Sequence, residues 1–372
     1  MQKLEPKRFK ILIATNVAHL PQVYGGANVS SHELAQSLLQ RGHKAAVFAH
    51  LHPSGIVYWV NRLKRALTSH NFPSDQTLGY AVYRGWGSSG SASLESGLAE
   101  VIERYRPDVV LVNGGQSINL ASVATALHLP TLVYLRDVEF DELSADPLTI
   151  GGVTYLANSN FTAVSFYSKF GLTAIVIPPL VSHHMYCVES SRKCVLFVNP
   201  NQKKGLHIAV ALATARPDID FLFQESWILS ELERRALTLS ISGLKNVRLC
   251  ESTADMRGVY RQTRVVLAPS QWNEAWGRVA TEAHISGIPV IGSDRGGLPE
   301  SIGDGGIIVP FDSPISTWLE ALSSMWDNKA VYAHYQAKAI ESSKRLSIQP
   351  EFLMSKLEAA IEYQVDARSK SV

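Results

Sequence analysis

Two glutamates, Glu274 and Glu282, stand with seven residues between them in the stretch NEAWGRVATE. The apolar run RVVLAPS precedes the first acid, and helix-forming residues surround the second. A helix opening near Trp276 leaves Glu274 on the loop before it and carries Glu282 about six residues inside, roughly 9 Å along the axis. The free N–H groups of Ala275, Trp276 and Gly277 would lie between the two acids, and such an end binds phosphate readily. Gly277 would let a ligand approach the backbone. Arg278 in the first turn opposes the helix dipole at a cost of a few tenths to about 1 kcal/mol, a sign that a bound anion would reverse. The spacing suggests sugar hydroxyls at one acid, diphosphate in the middle and ribose hydroxyls at the other. It fits equally a capping acid followed by a solvated helix glutamate.

Three further segments bear on that choice. In YGGANVSSHELAQSL, Gly25 and Gly26 precede a helix, a second place where backbone can approach a phosphate. In NQKKG, Lys203 and Lys204 stand between a strand and a helix, where one amine could neutralise a leaving diphosphate or both could decorate a solvated turn. SDRGGLPES adds a glycine pair beside Glu300 after the next strand.

The elements that must position these residues form two successive sets. Short β-branched runs alternate with helical stretches from KILIATN to TAIVIPP, several of them apolar on both faces as buried parallel strands are. The alternation stops at the polar stretch VSHHMYCVESSRK and restarts at CVLFVNP. This pattern predicts an α/β protein with two doubly wound, Rossmann-like domains facing across a cleft. The expected divisions are an acceptor-side domain over 1–182, a donor domain over 183–349, and a last helix over 350–372 crossing back to the first domain. Ligands of open α/β sheets bind at the carboxyl ends of the strands, so both sets of loops should line one cleft.

Composition removes several classes of function. Lys and Arg number 35 against 33 Asp and Glu, a net charge of +2, which gives no reason to expect nucleic-acid binding. The three cysteines, Cys187, Cys194 and Cys250, have neither zinc nor redox spacing and read as reduced thiols. The charged start MQKLEPKRFK offers no signal-peptide pattern, and no apolar run is long enough for a membrane helix, so a cytoplasmic protein is expected. GWGSSG matches a dinucleotide fingerprint literally, but it follows the third strand, and Asp108 begins the next strand where a ribose-binding acid should end it. A glycine-rich loop at the cleft is the better reading. His183 and His184 lack companion ligands for a metal. Residues 54–72 mix Tyr58 and Trp59 with Arg62, Lys64 and Arg65. They read as an ordinary helix of the acceptor domain or as a weak contact to an anionic membrane carrying a lipid-linked acceptor.

The run APSQWNEAWGRVATEAHISGIPVIGSDRGGLPESIGDGGIIVP resembles the donor signature of the family 4 retaining glycosyltransferases, of the two-Rossmann GT-B type. That signature has a glutamate, seven residues, a second glutamate, a G-x-P-V strand and GG-x-P-E. The Gly25–Gly26 segment resembles the family's N-terminal glycine loop, and KKG its lysine–glycine pair. The resemblance implies transfer of a sugar from a nucleoside diphosphate to an acceptor hydroxyl with retention, with no cofactor and no metal ion. The acceptor would be a glycan, a lipid-linked molecule or a small molecule. Carried over by position, Glu274 would bond the donor sugar and Glu282 the ribose. Lys204, Arg278 and the amides of Gly26 and of Ala275, Trp276 and Gly277 would hold the diphosphate, with Lys204, Arg278 and Glu274 serving the reaction. Two positions depart from the pattern. Asn199-Pro200 stands where the family commonly has Gly-Arg, and Arg136 and Asp137 stand where it often has a histidine on the acceptor side. Two other classes fit the same residues: a nucleotide-sugar epimerase of this architecture and a non-catalytic nucleotide-sugar binding protein.

Overall fold

The computed structural model describes residues 7–68, 70–85, 92–226 and 229–369. It divides into two units, the first comprising 1–158, 162–177 and 351–372, the second 159–161 and 178–350. The division at 177/178 lies a little before the 182/183 expected from the break in strand–helix alternation.

The first unit contains β1 (Lys10–Ala18), β2 (Lys44–His50), β3 (Ser74–Asp75), β4 (Ala81–Gly85), β5 (Val109–Asn113), β6 (Thr131–Leu135), β7 (Thr154–Ala157) and β8 (Ile175–Val176). They pair in the order β3-β4-β2-β1-β5-β6-β7-β8, parallel except for the short β3. The core of this sheet is apolar on both faces: Ile11, Leu12, Ile13, Val109, Val110 and Leu111 are fully buried. Such strands need helices on both sides, and the β–helix–β alternation supplies them. The order reverses beside β1, with β2 on one side and β5 on the other. The GWGSSG loop beyond Gly85 lies outside the described residues.

The second unit has β9 (Cys194–Val198), β10 (Asp220–Gln224), β11 (Val247–Cys250), β12 (Thr263–Ala268), β13 (Val290–Ser293) and β14 (Gly306–Val309). Their order, β11-β10-β9-β12-β13-β14, is wholly parallel and is the doubly wound order of a dinucleotide-type fold. The sheet's direction of growth switches between β9 and β12. Loops leaving the carboxyl ends of those two strands must splay to opposite faces, and the crevice between them is where such sheets take ligands.

The last helix, Pro350–Ser369, packs on the first unit. Leu353, Met354, Leu357, Ala360 and Ile361 are buried. Glu358 accepts from Arg41 Nε and Nη2, each at 2.7 Å, and its Oε1 lies 3.0 Å from His43 Nε2. Lys356 Nζ donates to the carbonyl of Val176 at 2.7 Å. An apolar stripe set the helix down, and the Glu358 fork fixes its register.

Candidate active site

Beyond β9 the chain turns through Asn199. This residue takes φ +58°, a left-handed conformation that asparagine tolerates better than other side-chain-bearing residues. It thereby keeps the backbone path for which a glycine is used, and its Oδ1 accepts from the Ser226 N–H at 3.1 Å. A 3₁₀ turn, Gln202–Lys204, follows, capped by the Asn201 side chain accepting from the Lys204 N–H. Gly205 then closes the turn at φ +84°. A Cβ there would stand 2.1 Å from the carbonyl oxygen of Pro269, so only glycine lets this turn touch the loop beyond β12.

That contact brings the two loops of the crevice together. The Gln271 N–H donates to the Lys203 carbonyl at 2.8 Å. Lys204 Nζ donates to Glu274 Oε1 at 2.5 Å, with both side chains about one-seventh exposed (14% and 13%). Ser270 Oγ donates to the same Oε1 at 2.8 Å. Glu274 Oε2 has no partner among the described residues. Both lysine amines lie over the Trp272 ring, Lys203 at 4.7 Å and Lys204 at 4.9 Å from its centroid. Adjacent residues on a turn usually diverge; here the 3₁₀ geometry and the indole draw both amines to one side chain. The Gly297 N–H, donating to the Glu274 carbonyl at 2.6 Å, holds the acid's backbone from the next loop.

The helix expected to open near Trp276 begins at Arg278 and ends at Ile285, with Gly277 as its N-cap at φ +87°. Gly277 serves packing: a Cβ would lie 2.5 Å from Leu298 Cδ1 and 3.1 Å from Ser301 Oγ. Trp276 is buried, its indole N–H donating to Thr281 Oγ1 at 3.0 Å. The N–H groups of Ala275, Trp276 and Gly277 make no hydrogen bond within the described residues, although they belong to the loop and not to the helix.

Arg278 departs most from expectation. Its Nε donates to Glu282 Oε1 at 2.8 Å, its Nη1 to the Leu180 carbonyl at 2.6 Å and its Nη2 to Tyr186 Oη at 2.8 Å. The anion that offsets its clash with the helix dipole is therefore the carboxylate one turn on, and the guanidinium is turned inward at 9% exposure. Glu282 is the fifth residue of the helix and nearly buried; its Oε2 accepts from Tyr260 Oη at 2.8 Å. Burial, and the Glu282 carboxylate beside it, hold the Tyr260 phenol well above its ordinary pKa, so it remains a donor.

In the first unit, Gly25 is the N-cap and Gly26 the first residue of the helix Gly26–Gln40. Arg136, just after β6, donates through Nη1 to the Ala27 carbonyl at 3.1 Å and to Ser31 Oγ at 3.0 Å, and its guanidinium lies 4.3 Å from the Tyr134 ring centroid. It is thus anchored to the first turns of the glycine-loop helix. Asp137 follows it, half-buried. Sequence reasoning missed a buried cluster behind this loop. Arg84 donates to Asp75 Oδ2 at 2.7 Å and to the carbonyls of His19 and Leu20, while Tyr80 Oη sits 2.9 Å from His19 Nε2 and 2.8 Å from His32 Nδ1. It also missed Trp272 and Ser270; an indole two residues before Glu274 and near a lysine pair was the available signal. Among the described residues no group of three or more His, Cys, Asp and Glu could hold a metal ion. No described helix is long and apolar enough to cross a membrane.

Fold and site together define two Rossmann-like units of the GT-B type with the charged crevice in the second. HepE of Anabaena, solved with UDP and glucose, superposes with TM-score 0.75 at 18% identity, covering 95% of this chain and all of that one. A glycosyltransferase of Rickettsia africae superposes with TM-score 0.72 at 16% identity, over 96% and 99% of the two chains. Residues 225–328 match the family of group 1 glycosyl transferases. The D-inositol 3-phosphate glycosyltransferase of Corynebacterium kroppenstedtii is 39% identical over 101 residues, 27% of this chain and 22% of that one. Spore coat protein SA of Bacillus subtilis is 33% identical over 138 residues, 33% and 37% of the two chains. The chain thus spans about a fifth of the length of the first of these curated relatives.

Proposed function

We propose that the protein transfers a glycosyl group from a nucleoside-diphosphate sugar to an acceptor hydroxyl, with retention and without a metal ion. The observation that carries this reading is the Lys204–Glu274 pair at the switch point of the second sheet, beside three consecutive amides with no hydrogen-bond partner among the described residues. As the glycosidic bond breaks, charge accumulates on the departing diphosphate, and preorganised donors aimed at that charge lower the barrier. Lys204, held in direction by Glu274, and the amides of Ala275, Trp276 and Gly277 are such donors. Glu274 Oε2 is left for a sugar hydroxyl. Glu282, oriented by Arg278 and Tyr260, is the acid that would bond the ribose. Arg278 acts through Glu282 rather than on the phosphate. The acceptor hydroxyl attacks on the face the diphosphate leaves, with Arg136 and Asp137 on the acceptor side. The nucleotide in the Anabaena structure and the acceptor named for the corynebacterial relative support the two substrate classes.

The test begins with a thermal-shift screen of nucleoside diphosphates and their sugars. A ligand at about one hundred times its Kd adds roughly 2.7 kcal/mol of stability. The donor so found is then incubated with acceptor hydroxyl compounds in excess chelator, and the product anomer is read by NMR. An unchanged anomeric configuration and undiminished turnover are expected. Inversion, or activity restored only by metal, contradicts the mechanism. Donor isomerised without acceptor would mean an epimerase, and binding with no turnover a nucleotide-sugar binding protein.

A further inference from the structure

The helix Gly55–Leu67 in the first unit is amphipathic the wrong way round for a core helix. Ile56 is 79% exposed, Trp59 61%, Val60 42%, Leu63 61% and Leu67 77%. At 100° per residue these five fall within an arc of about 100°, one continuous stripe. The helix's buried residue is instead a polar one, Asn61, whose Nδ2 is satisfied by the Val57 carbonyl at 2.9 Å. Of the two readings the sequence left open, packing on the core fails for this stripe, because it faces away from the core.

The charges around the stripe say what would cover it. Arg62 and Lys64 flank it on either side, and Arg65 lies on the far face. Arg62 is folded against Trp59, its guanidinium 5.3 Å from the indole centroid. Between Glu33 and Asp75 the chain carries no acid at all. A second copy docked face to face would bring like charges together around the apolar seam, since a two-fold contact opposes the same patch to itself. An anionic surface with an apolar interior has the opposite property. It accepts the tryptophan and aliphatic side chains below its headgroups and neutralises the flanking Arg62 and Lys64 at headgroup level.

We infer that the Gly55–Leu67 helix is a docking surface for an anionic lipid bilayer, lying in the plane of the interface with Ile56, Trp59, Val60, Leu63 and Leu67 inserted. This assignment stands apart from the sugar-transfer reading and survives its failure. It would bring an acceptor displayed on a membrane to the unit that carries Arg136.

Flotation of the full chain with phosphatidylcholine vesicles, with and without about one-third phosphatidylglycerol, tests it. The protein should float with the anionic vesicles and not with the zwitterionic ones. Arg62→Glu should weaken binding about fivefold or more, at roughly fivefold for each lysine or arginine near an anionic surface. The pair Ile56→Ser and Leu63→Ser should do the same with the charges intact, and both variants should melt like the parent because these side chains are exposed. The inference is overturned if the parent fails to float, if it floats equally with both vesicles, or if either folded variant floats as well as the parent. It is also overturned if light scattering finds a dimer that Leu63→Ser dissolves while vesicles capture nothing.

Discussion

In the second unit, the charged groups beyond β9 and β12 lie in two short segments, 199–205 and 268–282, and pair largely with one another. In the first unit, the loop beyond β1 is held from behind by residues as far apart in sequence as His19, His32, Asp75, Tyr80 and Arg84. Both sheets reverse their strand order at the corresponding strand. The difference lies in what is presented. On the proposed reading, the second unit turns Lys204, Glu274 and the amides of residues 275–277 toward a ligand. The first keeps its ion pair buried, with Arg84 fully inaccessible and Asp75 6% exposed, and uses it to pin a loop. A pair that can exchange a partner suits catalysis; one sealed from water fixes shape, since breaking it would strand a buried charge.

Changes that separate these roles should differ in kind. The largest effect is expected at Lys204: Lys204→Ala should lower kcat by about 10²–10³, read in steady-state kinetics, with the melting temperature nearly unchanged. Lys203→Ala should cost less than about tenfold, because Lys204 is the amine that Glu274 holds in direction. Equal losses would make the site a general positive patch around the indole.

Glu282→Ala should reduce stability by about 3 kcal/mol in urea unfolding, by stranding the inward-facing Arg278, and raise donor KM more than it lowers kcat. Gly277→Ala should follow at about 2–3 kcal/mol, from a positive φ and a collision with Leu298. If Gly277→Ala instead keeps full stability and only weakens donor binding, the glycine serves ligand approach, as its sequence context first suggested.

A pH series compares the two units directly. Burial lowers His19 in the first and His284 in the second from 6.5 to about 3. The unfolded chain takes up protons on these rings near pH 6.5 while the folded chain does not, so stability should fall progressively as pH drops from about 6.5 toward 3. His19→Asn or His284→Asn should flatten part of the slope between pH 7 and 5.5; a slope unchanged in both would place the linkage elsewhere.

The smallest effect belongs to the last helix. Hydrogen bonding to Arg41 holds the Glu358 carboxyl below its usual value, so its contribution is present above about pH 4.5 and lost as pH falls through the depressed value. With both partners partly exposed, Glu358→Gln should cost about 1 kcal/mol at neutral pH.

What sequence alone disclosed follows from the same contrast. Strand-and-helix alternation depends on local period, so both sheets and the returning helix could be read from it. The acid spacing, the lysine–glycine turn and the glycine pair lie in contiguous motifs and could be read as well. Their internal pairing could not, because it depends on where the helix begins. A start two residues later than expected makes Gly277 a packing glycine and sets Arg278 against Glu282 as an i, i+4 pair. The His19–Tyr80–His32 cluster left no trace in spacing, since its members meet only after β1, β4 and the glycine-loop helix are assembled.

On the proposed mechanism, Lys204 and Glu274 act as one device on the departing diphosphate. A double-mutant cycle in single-turnover kinetics, with Lys204→Ala, Glu274→Gln and the two combined, measures this directly. Groups that work as a unit lose most of their effect at the first removal, so the double variant should be no more than about threefold slower than Lys204→Ala alone. Losses that simply multiply would mean that the lysine and the acid serve the reaction independently, and the account of the site would be wrong.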